Sequence, residues 1–466
     1  MFNQITHPLV LKYLPAAKPE NYDDLFDELL AAAKRTSTGE EGQKFAALQS
    51  FVPVETSEAL SEQILVIDVG GTYVRVALRA IDAEGNCNWQ ALLRARNYEL
   101  IKEDISGTLF SQMRECVVRQ VIDKLEELSI DKASISGLGI VWSNALNCYE
   151  LKENGCRGVS GQVVGKDHGK FYVKGEPWNP DLHDGDDIGL AFLETFKEFG
   201  FKMKAFVISN DTIFTQKTVP EATSGMVAST GTNVTYIEPG EKLLRNSEAG
   251  NAFIVPEKFQ HKADQISEDL FNIECFIAGR AMQRRFASHL VYLAKEICSD
   301  NSQSKELRGR CQKILDRLCR DNFYLTAFKG KDLTALVSKD FERFLELRED
   351  DAELYRDDEF LELLRQIALN IVLRGGTHAA MLAYVSVYNQ LENGEDGLVI
   401  ALDSSQAHLL PFYYDAFKQE FNQILKSRCP GKDISVELID QGEGRVITVP
   451  MRGAASAVND FLAMGA

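Results

Sequence analysis

The chain is 466 residues long, 45% apolar and 26% charged, with a formal net charge of −18. Such a length exceeds one ordinary core and predicts two domains, and the composition is that of a globular chain. The acidic balance argues against a nucleic-acid partner, whose phosphates need a basic surface, and no apolar run approaches the roughly 18 residues of a membrane span.

Residues 1–12 lack the layout of a secretory signal. The nine cysteines, Cys87, Cys116, Cys148, Cys156, Cys275, Cys298, Cys311, Cys319 and Cys429, include no Cys-x-x-Cys pair. They predict reduced core thiols in the cytoplasm, not a disulfide framework or a zinc site.

In chain order, a helix is predicted over 21–35, with Leu25, Leu29 and Leu30 on one face and Asn21 or Asp23 as its cap. A polar break and Phe51-Val52-Pro53 lead to residues 64–78. An apolar run there ends in Asp68; Gly70, Gly71 and Thr72 follow, and alternation resumes at Val74. This predicts a β-hairpin with a two-glycine turn. Glycine lets a ligand approach the backbone closely, so N–H groups, the Thr72 hydroxyl and Arg75 could meet phosphate oxygens. Asp68 would hold a metal ion through water or keep Arg75 in place. The plainer reading is an ordinary hairpin with a buried corner Asp.

A third strand over 89–93, a helix from about 108 to 128 and a buried strand over 138–141 follow, the last ending in Trp142-Ser143-Asn144. Residues 145–187 read as the least regular part. Gly165-Lys166 and Gly169-Lys170 lack the spacing of a P-loop, and Asp184-Gly185-Asp186-Asp187 lacks the closing Glu of a calcium loop. The acidic run instead suits a solvated loop that caps the next helix, 188–199, which Gly200 stops. A buried strand over 205–209 ends in Asn210-Asp211-Thr212. Polar residues just past such a strand are where α/β sheets place chemistry, although Asn210 and Asp211 also suit a helix cap.

Residues 225–237 repeat the opening grammar: strand, Ser229-Thr230-Gly231-Thr232-Asn233, returning strand. Two such turns could grip a polyphosphate from both sides of a cleft. The remainder is mostly helical: one helix over 270–297 with a basic middle (Arg280, Arg284, Arg285), others over 305–320, 359–393 (interrupted at Arg374-Gly375-Gly376) and 411–425. Strands are predicted over 397–402, ending in Asp403-Ser404-Ser405, and 434–438, and Gly453-Ala454-Ala455 belongs to a terminal helix.

These segments, in this order, resemble the hexokinase family of actin-like sugar kinases, from Ser50 to Ala457. The opening hairpin is similar to the family's first phosphate motif, Asp-x-Gly-Gly-Thr-Asn-x-Arg-Val, with Tyr73 for its Asn. Residues 138–143 resemble the strand into the sugar loop, keeping Ser143 but not the proline. Asn210-Asp211-Thr212 matches the Asn-Asp-Thr whose Asp is the catalytic base. Ser229 to Asn233 resembles Gly-Thr-Gly-Thr-Asn. Glu248 and Glu274 resemble the two sugar-binding glutamates, and Asp403-Ser404-Ser405 the adenosine-site Asp-Gly-Ser. The family's Thr-Lys-Gly-Phe is at best Val173-Lys174-Gly175-Glu176.

The resemblance implies a two-lobed α/β fold of the actin-like, ribonuclease H-like type with a duplicated core and an interlobe cleft. The small lobe would be 58–210 plus 445–466 and the large lobe 1–57 plus 211–444. It implies transfer of the γ-phosphate of Mg-ATP to a hexose 6-hydroxyl, as in glycolysis, by a cytoplasmic monomer or homodimer. Asp211 would be the base. Ser143, Lys174, Asn210, Asn233, Glu248 and Glu274 would bind sugar. Asp68, Gly70, Gly71, Thr72 and Arg75, then Thr230, Gly231 and Thr232, then Asp403, Ser404 and Ser405, would bind nucleotide, with no direct metal ligand.

Two departures, Ser229 and Ser404 for glycine, would cost about 1 kcal/mol at a positive φ and weaken nucleotide binding. They and the altered Lys174 segment motivate a second reading, a sugar sensor with weak or absent turnover. A third, an actin- or chaperone-like ATPase, leaves the sugar carboxylates unexplained.

Overall fold

The computed structural model describes residues 4–37, 48–57, 62–70, 73–82, 84–101, 107–153, 155–164, 172–173, 176–177, 182–237, 240–264, 271–320, 327–442 and 446–464. Gly71, Thr72 and Lys174 lie outside the described residues.

Two mixed sheets organise the chain. The first has seven strands in the order Cys87–Arg96, Tyr73–Ile81, Gln63–Val69, Ile135–Trp142, Ala205–Asn210, Cys156–Val163 and Leu146–Glu153. Its four inner strands, from Gln63–Val69 to Cys156–Val163, run parallel. Three of these, Gln63–Val69, Ile135–Trp142 and Ala205–Asn210, are buried almost throughout, hence apolar runs without alternation. The second sheet has six strands: Leu48–Pro53, Leu243–Asn246, Thr232–Ile237, Ser224–Ala228, Leu398–Asp403 and Ile434–Leu438. Each sheet contains an antiparallel hairpin beside parallel strands, the Gln63–Val69/Tyr73–Ile81 pair in one and the Ser224–Ala228/Thr232–Ile237 pair in the other.

Helices fill the space around the sheets. The helix Asp358–Glu392 is buried over nearly its whole length and forms the spine of the larger core. The helix Val449–Ala463 lies on the first sheet: a Cβ at Gly139 would sit 3.2 Å from Ala454 Cβ, and Val458 and Leu462 share that core. No helix among the described residues is long and apolar enough to cross a membrane.

Three expectations change. Residues 145–187, read as the least regular part, hold among their described residues an antiparallel hairpin of two eight-residue strands, Leu146–Glu153 and Cys156–Val163. The predicted 270–297 helix is two, Glu274–Ile277 and Gly279–Ser299, broken at Ala278, whose ψ is 140°. Gly375 and Gly376 do not interrupt their helix. They admit a neighbour instead, since a Cβ at Gly376 would stand 2.3 Å from the Tyr413 carbonyl oxygen. The charged stretch 330–358 holds the helices Gly330–Val337 and Phe341–Leu347.

The helix Asp211–Lys217 crosses Val449–Ala463 so closely that a Cβ on Gly453 would meet the Phe214 carbonyl oxygen at 1.7 Å. Backbone cannot yield as a side chain does. Gly453→Ala should therefore lower stability by about 1–3 kcal/mol, the usual range for overpacking. A urea midpoint equal to that of the parent would refute so close a crossing.

The same junction holds a buried ion pair. Lys217 Nζ is 2.8 Å from Asp460 Oδ2, with both side chains at most 2% exposed. Burial lowers the Lys217 pKa, and Asp460 opposes that shift. The ammonium also donates to the Glu55 carbonyl at 2.8 Å and the Thr56 hydroxyl at 2.9 Å, and Ser57 N–H donates to Asp460 Oδ1 at 2.7 Å. Residues 54–57 are where the chain leaves the second sheet for the first, so this pair fastens the crossover.

Candidate active site

Both hairpin turns and the ends of two parallel strands open on one cavity of about 670 Å³. From the first hairpin come Asp68, Gly70, Tyr73 and Arg75; from the ends of Ile135–Trp142 and Ala205–Asn210 come Ser143, Asn210 and Asp211. The second hairpin supplies Thr230, Gly231, Thr232 and Asn233; Glu248, Glu274, Asp403 and Ser405 also line the cavity.

Asp211 is the first residue of its helix, and Asn210 is the cap, accepting from Thr212 N–H at 3.0 Å. Capping and cavity placement therefore hold together. The Thr212 hydroxyl lies 3.2 Å from Asp211 Oδ1. Asn210 is itself fixed, with Nδ2 3.4 Å from the Trp142 carbonyl and 3.3 Å from that of Asn144.

A chain of amides links this end to the glutamates. Asn233 Nδ2 reaches Asn246 Oδ1 at 2.6 Å, and Asn210 Oδ1 and Glu248 Oε1 at 3.3 Å each. Asn246 Nδ2 donates to Glu248 Oε1 at 2.8 Å. Glu248 has a left-handed backbone, φ 49°. Such conformations cost about 1–3 kcal/mol and persist where the surroundings over-determine them, often at functional sites. Glu274 heads its short helix and accepts Thr232 N–H at 2.8 Å through Oε2, tying it to the second turn.

At the first turn Arg75 Nη1 donates to Asp68 Oδ2 at 3.0 Å, and the Thr448 hydroxyl donates to the same oxygen at 3.2 Å. Burial raises the Asp68 pKa against these two partners. The Asp403 carboxyl is also raised by burial, and it accepts from Gln441 Nε2 at 3.0 Å. The second turn is anchored at Ser229, whose carbonyl accepts from Gly279 N–H at 2.9 Å and Gln406 Nε2 at 2.7 Å.

The two serine departures carry no backbone strain, because neither Ser229 nor Ser404 has a positive φ. The Ser229 hydroxyl accepts from Ser405 N–H at 3.2 Å, and Ser404 caps the helix Ser405–Leu409, accepting from Ala407 N–H at 3.1 Å. Ser404 is fully buried and does not line the cavity, whereas Asp403 and Ser405 on either side of it do.

Sequence reasoning missed Asn246, although it stands two residues before Glu248. It also missed Arg280 and Arg284, which line the cavity. The basic middle of their helix was the available signal. A second cavity of about 840 Å³ shares Thr230, Arg280 and Ser405 with the first and extends along Gly330–Ser338 and Leu409.

Two hairpins facing one crevice, each beside parallel strands, give an α/β fold of the two-lobed actin-like type. Within it the fold is that of the hexokinases. The hexokinase from Schistosoma mansoni complexed with glucose superposes with a TM-score of 0.69, covering 99% of this chain and 100% of that one at 17% identity. Another hexokinase crystal structure gives 0.65, with 92% and 94% covered at 18% identity. At that identity the likeness establishes the fold. No protein-family model and no curated protein matches the sequence.

Proposed function

We propose that this chain transfers the γ-phosphate of Mg-ATP to the 6-hydroxyl of glucose or a related hexose, with Asp211 as the general base. The observation that supports this most is the company Asp211 keeps. It shares one cavity with Asn210, Asn233, Glu248 and Glu274 and with residues of both hairpin turns. A sugar presents only hydroxyls, and carboxylates and amides are the groups that accept from and donate to them.

In this reading the hexose sits against Glu248, Glu274, Asn233 and Ser143, with Lys174 a further contact. Asp211 accepts the hydroxyl proton as transfer proceeds; no free alkoxide is needed, because the loose transition state gathers charge on the phosphoryl oxygens. Arg75, Thr232 and the N–H groups of both turns, Thr72 among them, meet those oxygens. The Thr232 hydroxyl is buried with no hydrogen-bond partner among the described residues, as suits a group reserved for a ligand. The second cavity is sized for a nucleoside, with the polyphosphate passing Thr230, Arg280 and Ser405. Asp68 would hold, through water, the Mg²⁺ that accompanies ATP and would neutralise charge on its phosphates. Closure of the lobe 58–210 plus 445–466 on the remainder would exclude water until sugar is bound. The protein would act in the cytoplasm, where its nine free thiols stay reduced.

A sugar sensor without turnover is the second reading, but the unstrained serines remove one of its two motives. A panel of hexoses with a coupled ADP assay separates the readings. ADP release that needs a hexose is expected. Hexose binding without release would instead make the protein a sensor, and release without hexose an ATPase.

A further inference from the structure

Thr448 stands just before the helix Val449–Ala463, with an extended backbone, φ −76° and ψ 161°. A threonine at that position ordinarily accepts a hydrogen bond from an N–H of the first helical turn. The Thr448 side chain makes no such bond. Its hydroxyl donates instead to Asp68 Oδ2 at 3.2 Å, 380 residues away in the chain. Both residues line the main cavity, and Asp68 is buried.

Arg75 donates to the same oxygen at 3.0 Å. It is the cross-strand partner of Asp68 in the first hairpin, so that bond fixes the carboxylate within its own hairpin. Thr448 fixes it to a different element. Five residues further on, Gly453 packs against the Phe214 carbonyl of the helix Asp211–Lys217, and Phe214 is three residues past Asp211. At the helical rise these steps are about 7.5 Å and about 4.5 Å.

A short, stiff path thus runs from Asp68 through Thr448 and two helices to Asp211. An oxygen already paired with a guanidinium does not need a hydroxyl that the helix end could use. What the bond connects explains it better. We propose that Thr448 is a positioning residue: it holds the Asp68 carboxylate in register with Asp211, and so places the Mg²⁺-bound phosphates against the base. It acts through Asp68, and the inference rests on the roles given above to Asp68 and Asp211.

The test is calorimetry on the full chain with ADP, in Mg²⁺ and in EDTA, and with glucose. The ratio of the two ADP affinities isolates what the metal adds, and Asp68 acts on the nucleotide through that metal. Thr448→Val keeps the shape and drops the hydroxyl, and in it the ratio should fall about tenfold, the worth of one hydrogen bond to a charged group. Metal-free ADP affinity and glucose affinity should stay unchanged, kcat at saturating substrates should fall with the ratio, and Thr448→Ser should restore both. Should the Val variant melt early, Thr448→Ala decides by the same ratio. An unchanged ratio overturns the inference, as does a loss of all three affinities together or a Ser variant no better than Val. A parent that binds Mg-ADP and glucose without turnover fails the kinase reading, and a fall in the ratio still supports Thr448. A parent that binds no Mg-ADP fails the nucleotide reading and takes the inference down with it.

Discussion

Asp211→Ala should lower phosphoryl transfer by about 10²–10⁴-fold, the contribution of a positioned general base, with hexose affinity changed by no more than about threefold. The asymmetry follows from the division of labour in the cavity. In the proposed reading Asn233, Glu248 and Glu274 would supply the sugar's acceptors and donors, tied to Asn246 and the second turn, and the helix that starts at Asp211 is capped by Asn210. Removing the carboxylate would then take away the proposed proton acceptor and leave the cap and the proposed sugar contacts in place. In kinetic terms kcat falls while the hexose dissociation constant, measured by calorimetry, holds. Near-full activity in the variant would reject Asp211 as the base. A parallel collapse of hexose binding would make it a sugar ligand instead.

Asp264→Ala should destabilise the fold by about 3–5 kcal/mol, as expected when one partner of a buried ionic cluster is removed. Asp264 is fully buried. Its carboxylate lies 3.0 Å from Arg285 Nη2, 2.8 Å from Arg374 Nη1 and 2.9 Å from His289 Nε2. Both guanidiniums lie over Phe276, at 4.9 and 4.5 Å, and His378 stacks on that ring at 4.2 Å. Without Asp264 two buried guanidiniums lose the carboxylate they share. Phe276 belongs to the same short helix as Glu274, so hexose affinity should fall as well.

The cluster also sets a pH dependence. Arg374 and Arg285 hold the Asp264 carboxyl well below its usual range, although burial alone would raise it. That stabilisation is present above the ordinary carboxylate range and is lost only as pH falls through the depressed value. The histidines act sooner. Burial pushes His289 down to about 4 and His378 to about 3, from 6.5. The unfolded chain takes up these protons below pH 6.5 and the folded chain does not, so stability declines from there toward pH 4. The urea midpoint should be lower at pH 5 than at pH 7.5. An equal midpoint at the two pH values would contradict the neutral, buried histidines, and an unchanged midpoint in Asp264→Ala would contradict the cluster.

Strands with an apolar run closed by a polar residue, such as Gln63–Val69 and Ala205–Asn210, were readable because the sheet buries both their faces. The cavity residues at their ends came with them, and the motif order supplied Glu248 and Glu274. Other features depend on neighbours far along the chain. In the hairpin Leu146–Glu153/Cys156–Val163, Gly158 stands where a Cβ would be 1.7 Å from the Phe206 carbonyl, so closeness replaced the apolar alternation that marks a strand. The break at Ala278 reflects the bond from Gly279 N–H to the Ser229 carbonyl, 50 residues earlier in the chain. Arg285 was legible only as part of the basic middle of its helix, with Arg280 and Arg284. Its carboxylate partner lies 21 residues earlier, on a separate segment, and nothing local marks the two as a pair.

The helix Val449–Ala463 covers one face of a sheet whose last strand ends at Asn210. A first sheet that formed during synthesis would wait for that face to be covered while more than 200 further residues were added, a delay on the order of tens of seconds at ordinary elongation rates. Its nascent form would present an apolar surface until Ala454 and Val458 emerged to seal it.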